Sequence, residues 1–155
     1  MEVSSKEKLD DFDKAILRAL SAEGRISVTE LAGRINLSNT PTQARIKRLE
    51  KDGIIRGYKA LLDPVQLGLD HIAFVEVKLG DTREAALTAF NKAVLSIPEI
   101  EECHMTASHF DYLLKVRTSD MRAYRAVLGE RISALPHVSN TSTHVVMEAV
   151  KEELL

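Results

Sequence analysis

The sequence predicts an α+β chain made of an N-terminal helix-turn-helix and a C-terminal ferredoxin-like βαββαβ domain. The first observation is three short stretches before residue 53 with apolar residues at helical spacing, each preceded by a capping residue. The second is an alternation of strand-like and helical stretches in the order β-α-β-β-α-β between residues 70 and 150. The third is an uneven distribution of charge: residues 1–63 have a formal charge of +2 and residues 64–155 have a formal charge of −4. We therefore expect domains at 1–53 and 70–155, joined by a linker at 54–69.

The first two helices are predicted from their caps and their apolar faces. Helix one is expected from about Asp10 to Glu23, with Asp10 as N-cap and Gly24 at its end. Helix two opens with Ser27 and Glu30 in capping-box spacing. The side chains expected to face inward are Phe12, Ile16, Leu17, Leu20, Val28, Leu31 and Ile35.

The third helix, predicted over residues 41–52, is the most informative element. Thr40 is expected to be the N-cap, with Pro41 at the first helical position and Gln43 closing a capping box. Gly53 suits the left-handed conformation that ends a helix. Two helices joined by a tight turn, the second of them capped in this way, are typical of a helix-turn-helix.

The third helix is also strongly basic. From Arg45 to Lys59 there are six Lys or Arg and two Asp or Glu, a local charge of +4 in a chain of net charge −2. A basic helix on an acidic protein indicates a polyphosphate partner, and double-stranded DNA is the partner that we expect. A merely solvated face is the alternative, which the preceding helix and the charge asymmetry disfavour. Arg45 and Arg48 lie on one stripe and reach either a guanine edge or a phosphate; Arg48 alternatively pairs with Asp52.

The linker and the second domain follow from strand-like patterns. Ile54–Leu62 is predicted to be a strand that serves as wing or hinge, and Asp63-Pro64 marks a boundary. The later elements are predicted at His71–Leu79, Thr82–Ile97, Glu99–Ala107, Tyr112–Thr118, Asp120–Leu135 and Val138–Val150. Because both helices cover one face of the sheet, the other face, with Ile72 and Phe74, is expected to be apolar and to dimerise.

Several classes of function are disfavoured by composition. No apolar run approaches the length of about 18 residues that a membrane span needs. The N-terminus is polar and Cys103 is the only cysteine, so we expect a cytoplasmic protein without disulfides. His104, His109 and Asp111 have no second cluster to complete a metal site, and Ser108 with His109 has no acid for a triad. We expect no metal, no cofactor and no catalysis.

Three stretches resemble the Lrp/AsnC (feast/famine) family of transcription regulators. They are LDDFDKAILRALSAEGRISVTELAGRINLSNTPTQARIKRLEKDGIIRGYKALLDP from Leu9, FDYLLKV at 110–116 and THVVMEAVKE at 143–152. The resemblance is closest to the leucine-responsive branch or to its activators of proline catabolism. It implies a winged helix-turn-helix, a regulatory domain, and dimers that assemble further, often to octamers. It also implies a small effector, usually an amino acid, bound between dimers near the loop that links the two central strands.

The resemblance also implies which residues contact each ligand. Those nearest DNA are Ser38, Asn39, Thr40, Thr42, Gln43, Arg45 and Arg48. Those around the effector are Met105, Ser108, His109, Asp111, Met121, His144, Val145 and Val146. Ser108 departs from the family, which commonly has glycine there. Asp111 either receives an effector ammonium group or caps the turn, and His144 is alternatively an interface residue. The competing function is a regulatory subunit or small enzyme of amino-acid metabolism, which would give the basic helix no role.

Overall fold

The computed structural model describes residues 9–152, which form two compact units that divide between Leu61 and Leu62. This division falls inside the segment 54–69 that the sequence marks as a linker. The first unit contains helices α1 (Asp11–Ala22), α2 (Val28–Arg34) and α3 (Asn39–Lys51). The second unit contains a four-stranded sheet and two helices.

The core of the first unit is small and aliphatic. Ile16 of α1, Leu31 of α2 and Leu49 of α3 are buried, and Ile35 completes the cluster. Phe12 is 41% exposed, which contradicts the predicted inward orientation. The residue of the α1 N-terminus that is buried is Asp13, because two arginines of α3 pair with its carboxylate.

The helix caps agree with the sequence for α1 and α2. Asp10 accepts a hydrogen bond from the Asp13 N–H at 2.8 Å, and the Asp13 carboxylate accepts from the Asp10 N–H at 3.2 Å. Ser27 accepts from the Glu30 N–H at 3.1 Å. Each cap satisfies a backbone donor that has no partner within the first turn.

The start of α3 was predicted wrongly. The helix begins at Asn39, and Ser38, not Thr40, has the extended conformation of an N-cap, without a side-chain capping bond. Pro41 is therefore the third helical residue. Its missing N–H still costs nothing, because the first residues of a helix lack an intrahelical acceptor. The end of α3 agrees with the sequence, since Gly53 has a φ of 70° and the N–H groups of the next two residues bond back to Leu49.

The predicted strand Ile54–Leu62 is not formed within the described chain. The segment has no regular structure, and Ile54, Tyr58, Leu61 and Leu62 are exposed. A strand exists only as part of a ladder, and the sheet of the second unit does not include this segment.

The second unit has the predicted ferredoxin-like order. Its strands are β1 (His71–Leu79), β2 (Ile100–Met105), β3 (Tyr112–Thr118) and β4 (Val138–Val145), in the antiparallel order β2-β3-β1-β4. Its helices are α4 (Glu84–Val94) and α5 (Met121–Val127), and α5 continues as a π-helical turn, Leu128–Ile132. Strands β1 and β3 match their predicted bounds, whereas β2, β4 and both helices are shorter than predicted.

The two faces of the sheet differ sharply. The face under the helices is apolar, with Ala73, Val75 and Val77 of β1 fully buried. The helix-free face was predicted to be apolar, but pairing sets Arg117 opposite Ile72 and Lys115 opposite Phe74. Charged and polar side chains therefore occupy much of this face, and the prediction was wrong. The prediction that it dimerises stays untested.

Candidate functional site

Arg45, on the basic helix α3, is held against the start of α1. Its Nη1 donates to the Asp10 carboxylate at 2.7 Å and to the Asp13 carboxylate at 2.8 Å. Its guanidinium carbon lies 5.4 Å from the centre of the Phe12 ring, a distance typical of a cation–π contact. The hydrogen bond that Arg45 donates to the Asp10 carboxylate does most to raise the pKa of Arg45, and the bond to Asp13 adds to this effect. Arg45 is thus a fixed cation, 26% exposed.

Arg48 binds the other oxygen of Asp13. Its Nη2 donates to Asp13 Oδ2 at 2.5 Å. The sequence offered Asp52 as a partner within the helix, but the bonded acid comes from α1. Asp13 is 1% exposed and so serves as a buried acceptor for both arginines. The pKa of Asp10 is lowered, chiefly by the hydrogen bond from the Asp13 backbone N–H.

The polar residues at the start of α3 divide into exposed and buried ones. Ser38, Asn39, Thr40 and Gln43 are exposed. The Asn39 amide donates to the Thr29 hydroxyl at 3.0 Å, which ties α3 to α2. Thr42 is fully buried and its hydroxyl donates to the Ser38 carbonyl at 2.9 Å. Thr42 therefore closes the first turn of the helix and does not face solvent, contrary to its predicted place near DNA.

In the second unit, a tight loop links β2 to β3. The Thr106 N–H donates to the Asp111 carbonyl at 2.9 Å, and the Asp111 N–H donates to the Val77 carbonyl at 2.9 Å. The Asp111 carboxylate accepts from the Leu79 N–H at 2.8 Å and from Lys78 Nζ at 3.3 Å. Of the two predicted roles for Asp111, this geometry favours the structural one, in which the carboxylate fastens the loop to β1.

Ser108 stands in the loop without backbone strain. The non-glycine residues with positive φ in the described chain are Asn36 and His137, so Ser108 does not need the conformation that favours glycine. Its hydroxyl lies 3.2 Å from His109 Nδ1. Both side chains are exposed, and the His109 ring meets the Phe110 ring edge-on at 5.0 Å.

Glu76 joins two of the predicted effector residues. Its carboxylate lies 3.4 Å from His109 Nε2 and 3.2 Å from His144 Nε2. Glu76 is on the helix-free face of β1, so the loop and β4 both reach that face near its middle. Glu76 is not among the predicted site residues, although alternation along β1 places it on the face opposite the core.

The remaining effector residues lie at two ends of the sheet. Asp111 bonds to Val77 on β1, whereas Val145 pairs with Ala73, four residues earlier. Four strand residues span roughly 13 Å. Met121 and Val146 belong to the same end as Val145, because Met121 follows the strand end that pairs with His71 and the Val146 N–H bonds to the Ile72 carbonyl. One subunit therefore does not bring these three residues to Met105 and the loop.

Other features of the described residues bear on chemistry. Within residues 9–152, no three His, Cys, Asp or Glu side chains are grouped to hold a metal ion. No helix in that range has the length and apolar character to cross a membrane. Cys103 is half-buried in β2, and burial raises the pKa of its thiol.

Comparison with known proteins identifies the family. Residues 72–155 match the model of the Lrp/AsnC ligand-binding domain, and residues 9–56 match that of a winged helix-turn-helix DNA-binding domain. The chain belongs to the Lrp/AsnC family. Members of this family are transcription regulators, so the Lrp/AsnC resemblance drawn from the sequence is confirmed.

Three relatives cover nearly the whole chain. The proline dehydrogenase transcriptional activator of Rhizobium radiobacter is 65% identical over 93% of this chain and 92% of its own. The leucine-responsive regulatory protein of Escherichia coli strain K12 is 48% identical, over 93% and 88%. A transcriptional regulator of Neisseria meningitidis, solved in complex with L-methionine, has a TM-score of 0.87 at 32% identity over 94% of each chain.

In this Lrp/AsnC chain, the main feature that was not predicted is the pairing of Asp13 with two arginines. An acid in the first turn of a helix ordinarily interacts with the helix dipole, and the two arginines that pair with Asp13 lie 32 and 35 residues away. A third acid in the first turn of α1, opposite a helix with two arginines three residues apart, is a signal that could have indicated the pairing.

Proposed function

We propose that this Lrp/AsnC regulator controls a gene of proline catabolism and that proline is its effector. The observation that carries the proposal is the 65% identity, along nearly the whole chain, to a proline dehydrogenase transcriptional activator. A regulator of a catabolic enzyme is useful to the cell when it senses the substrate of that enzyme. The E. coli relative at 48% identity bears the name of leucine, so leucine is the competing effector.

For DNA, we propose that the exposed start of α3 enters the major groove. Ser38, Asn39, Thr40 and Gln43 are exposed there, and hydroxyl and amide groups read base edges or phosphates. Arg45 and Arg48 supply the guanidinium groups of the surface. We leave Thr42 out, because its side chain is buried.

For the effector, we propose a site that two subunits build together. An amino acid has two charges that both need partners once water is excluded, and a short loop cannot enclose it alone. The loop with Met105, Ser108 and His109 would form one wall. Met121, Val145 and Val146, from the far end of another subunit's sheet, would form the apolar wall. The complex of the Neisseria relative with L-methionine supports an amino-acid-sized ligand.

The DNA part is tested with Arg45→Ala and a duplex selected from a random pool for tight binding to the wild-type protein. We expect affinity to fall by roughly 1–3 kcal/mol per half-site, because a guanidinium that reads a base edge is lost. Fluorescence anisotropy measures this. Arg25→Ala, which removes an exposed cation outside α3, is the matched control. Equal losses in both variants would contradict a specific role for α3.

The identity of the effector is tested by a thermal-shift screen of the twenty amino acids. A ligand that binds only the native state raises the melting temperature, so proline is expected to give the largest shift. Leucine giving the largest shift instead would contradict the assignment to proline.

The shared site is tested by mixing two variants that each block one wall. Ser108→Trp fills the loop side and Val145→Arg fills the apolar side, and each homo-oligomer is expected to lose ligand binding. After random subunit exchange at equal amounts, about a quarter of the sites would have both walls intact, because each wall comes from a different subunit. Titration calorimetry counts these sites. No recovery on mixing would mean that each site lies within one subunit.

A further inference from the structure

The cluster of Asp10, Asp13, Arg45 and Arg48 joins the recognition helix α3 to the start of α1. Asp13 is almost fully buried and binds a different arginine with each oxygen, at 2.8 Å to Arg45 and 2.5 Å to Arg48. Asp10, half-exposed, adds a second carboxylate to Arg45 at 2.7 Å. Charge-assisted bonds of this length are among the stronger polar contacts in proteins.

The four side chains of the cluster sum to zero formal charge. These two carboxylates and two guanidinium groups have opposite charges of equal number, so their combined field is much weaker at a distance than that of two unpaired cations. The general attraction of α3 for phosphate therefore comes from its other cations, Lys47 and Lys51, both of which are exposed. Arg45 and Arg48 act on DNA at close range, where orientation decides the strength of a contact.

The cluster also fixes the plane of one guanidinium. Both carboxylates bind the same nitrogen of Arg45, Nη1, and Phe12 lies beneath the group. Nε and Nη2 take no part in these ion pairs, and the side chain remains 26% exposed. A guanidinium held in one orientation can form a bidentate contact with a matching base edge at little entropic cost. A mobile guanidinium would instead pair with any nearby phosphate, whatever the base sequence.

From these observations we propose that Asp10 and Asp13 are specificity-determining residues that act through Arg45. They orient its guanidinium for contact with one DNA geometry, and their negative charges weaken its attraction to DNA of any other geometry. The inference rests on the proposed binding of DNA by α3. Asp10 and Asp13 are positioning residues, and contact with DNA is made by Arg45.

Asp10→Asn is the variant that isolates this effect. Asparagine is as good an N-cap as aspartate, so the bond to the Asp13 N–H and the start of α1 are retained. The change removes one of the two charges that hold Arg45. Asp11→Asn is the matched control, because it removes the same charge from the same turn, where Asp11 is 98% exposed and pairs with Lys14.

The experiment measures affinity for the selected duplex and for a scrambled duplex of equal composition, over a range of salt concentrations. For Asp10→Asn we expect tighter binding to the scrambled duplex and a salt slope steeper by about one per subunit, because the released Arg45 meets a further phosphate. The ratio of the two affinities should fall by roughly tenfold. For Asp11→Asn both affinities should change by a common factor, leaving the ratio unchanged.

The outcomes distinguish a failure of the positioning role from a failure of the proposed function. If Asp10→Asn and Asp11→Asn leave the same ratio, the positioning role is wrong, whereas a wild-type protein for which selection yields no tightly bound duplex overturns the proposed function itself. Adding Arg45→Gln to Asp10→Asn should remove the extra salt dependence; if it persists, Arg45 is not its source. Arg45→Lys gives a second route that leaves both acids in place. It keeps the charge but not the planar group, so only affinity for the selected duplex should fall.

Discussion

The two units of this regulator each contain an arginine held by two carboxylates. The two arginines differ in how exposed they are and in which of their nitrogens these bonds use. Arg117, on the sheet of the second unit, is 7% exposed and donates to Glu101 at 2.5 Å, to Glu152 at 2.6 Å and to the Leu69 carbonyl at 3.1 Å. These bonds use Nε, Nη1 and Nη2. Arg45 binds its two carboxylates through Nη1 and is 26% exposed. The same pairing therefore makes one arginine a structural residue and leaves the other able to bind a polyanion.

The largest effect that we expect is from Arg117→Ala. The variant removes three hydrogen bonds of a buried guanidinium, while Lys115 still pairs with both carboxylates, so we expect a loss of about 2 kcal/mol of unfolding free energy. Urea unfolding followed by amide NMR signals of β1 and β3 measures it. The signals of α1 to α3 serve as internal control. A loss below about 0.5 kcal/mol would mean that Arg117 contributes no more to stability than an ordinary surface ion pair.

A smaller effect on stability is expected from Arg45→Ala. Asp13 keeps its bond to Arg48, so the unfolding free energy of the first unit should fall by only about 1 kcal/mol. The same urea experiment, followed on the signals of α1 and α3, measures it. A loss as large as that of Arg117→Ala would contradict the distinction between the two arginines.

The smallest effect that we expect is the loss of stability of the two units at acidic pH. The pKa of Glu152 is lowered, chiefly by the hydrogen bond from Lys115, and that of Asp10 chiefly by the Asp13 backbone N–H. A carboxylate with a lowered folded pKa contributes stability above its unfolded value, and this is lost as pH falls through the folded value. The second unit should therefore begin to lose stability below about pH 4.5 and the first below about pH 3.8.

Glu152→Gln separates these contributions. It should lower the stability of the second unit at pH 6 and make that stability less dependent on pH between 5 and 3. NMR-detected unfolding at both pH values tests this. An unchanged pH dependence in Glu152→Gln would mean that other carboxylates govern the acid response.

Much of the fold could be predicted from sequence because its signals are local. Alternation fixed the bounds of β1 and β3, and short-range caps marked the starts of α1 and α2. The start of α3 could not be decided this way, since Ser38 and Thr40 are both good N-caps and only the chain geometry selects between them. The pattern of Ile54–Leu62 shows that the segment can pair in a sheet, but a pattern carries no information on whether a partner is present.

The missed features are those that depend on distant pairing. Ile72 and Phe74 suggested an apolar face, but the register with β3 sets Arg117 and Lys115 beside them. Neither the register nor the bulge between Ile100 and Glu102 is encoded by the alternation of either strand alone. Asp13 and its arginines are likewise joined only by the packing of α1 against α3. The family resemblance implied a set of site residues, but it carried no information on which of their side chains, such as that of Thr42, face inward.

The separation between Val145 and Asp111 along β1 has a consequence for sensing under the proposed shared site. A rigid strand keeps the two walls of the pocket apart in each subunit, so an isolated subunit would not bind the effector at any concentration. The response threshold would then depend on how much regulator the cell contains as well as on how much amino acid it contains. Doubling expression of the regulator would lower the effector concentration at which it responds, without changing a residue of the pocket.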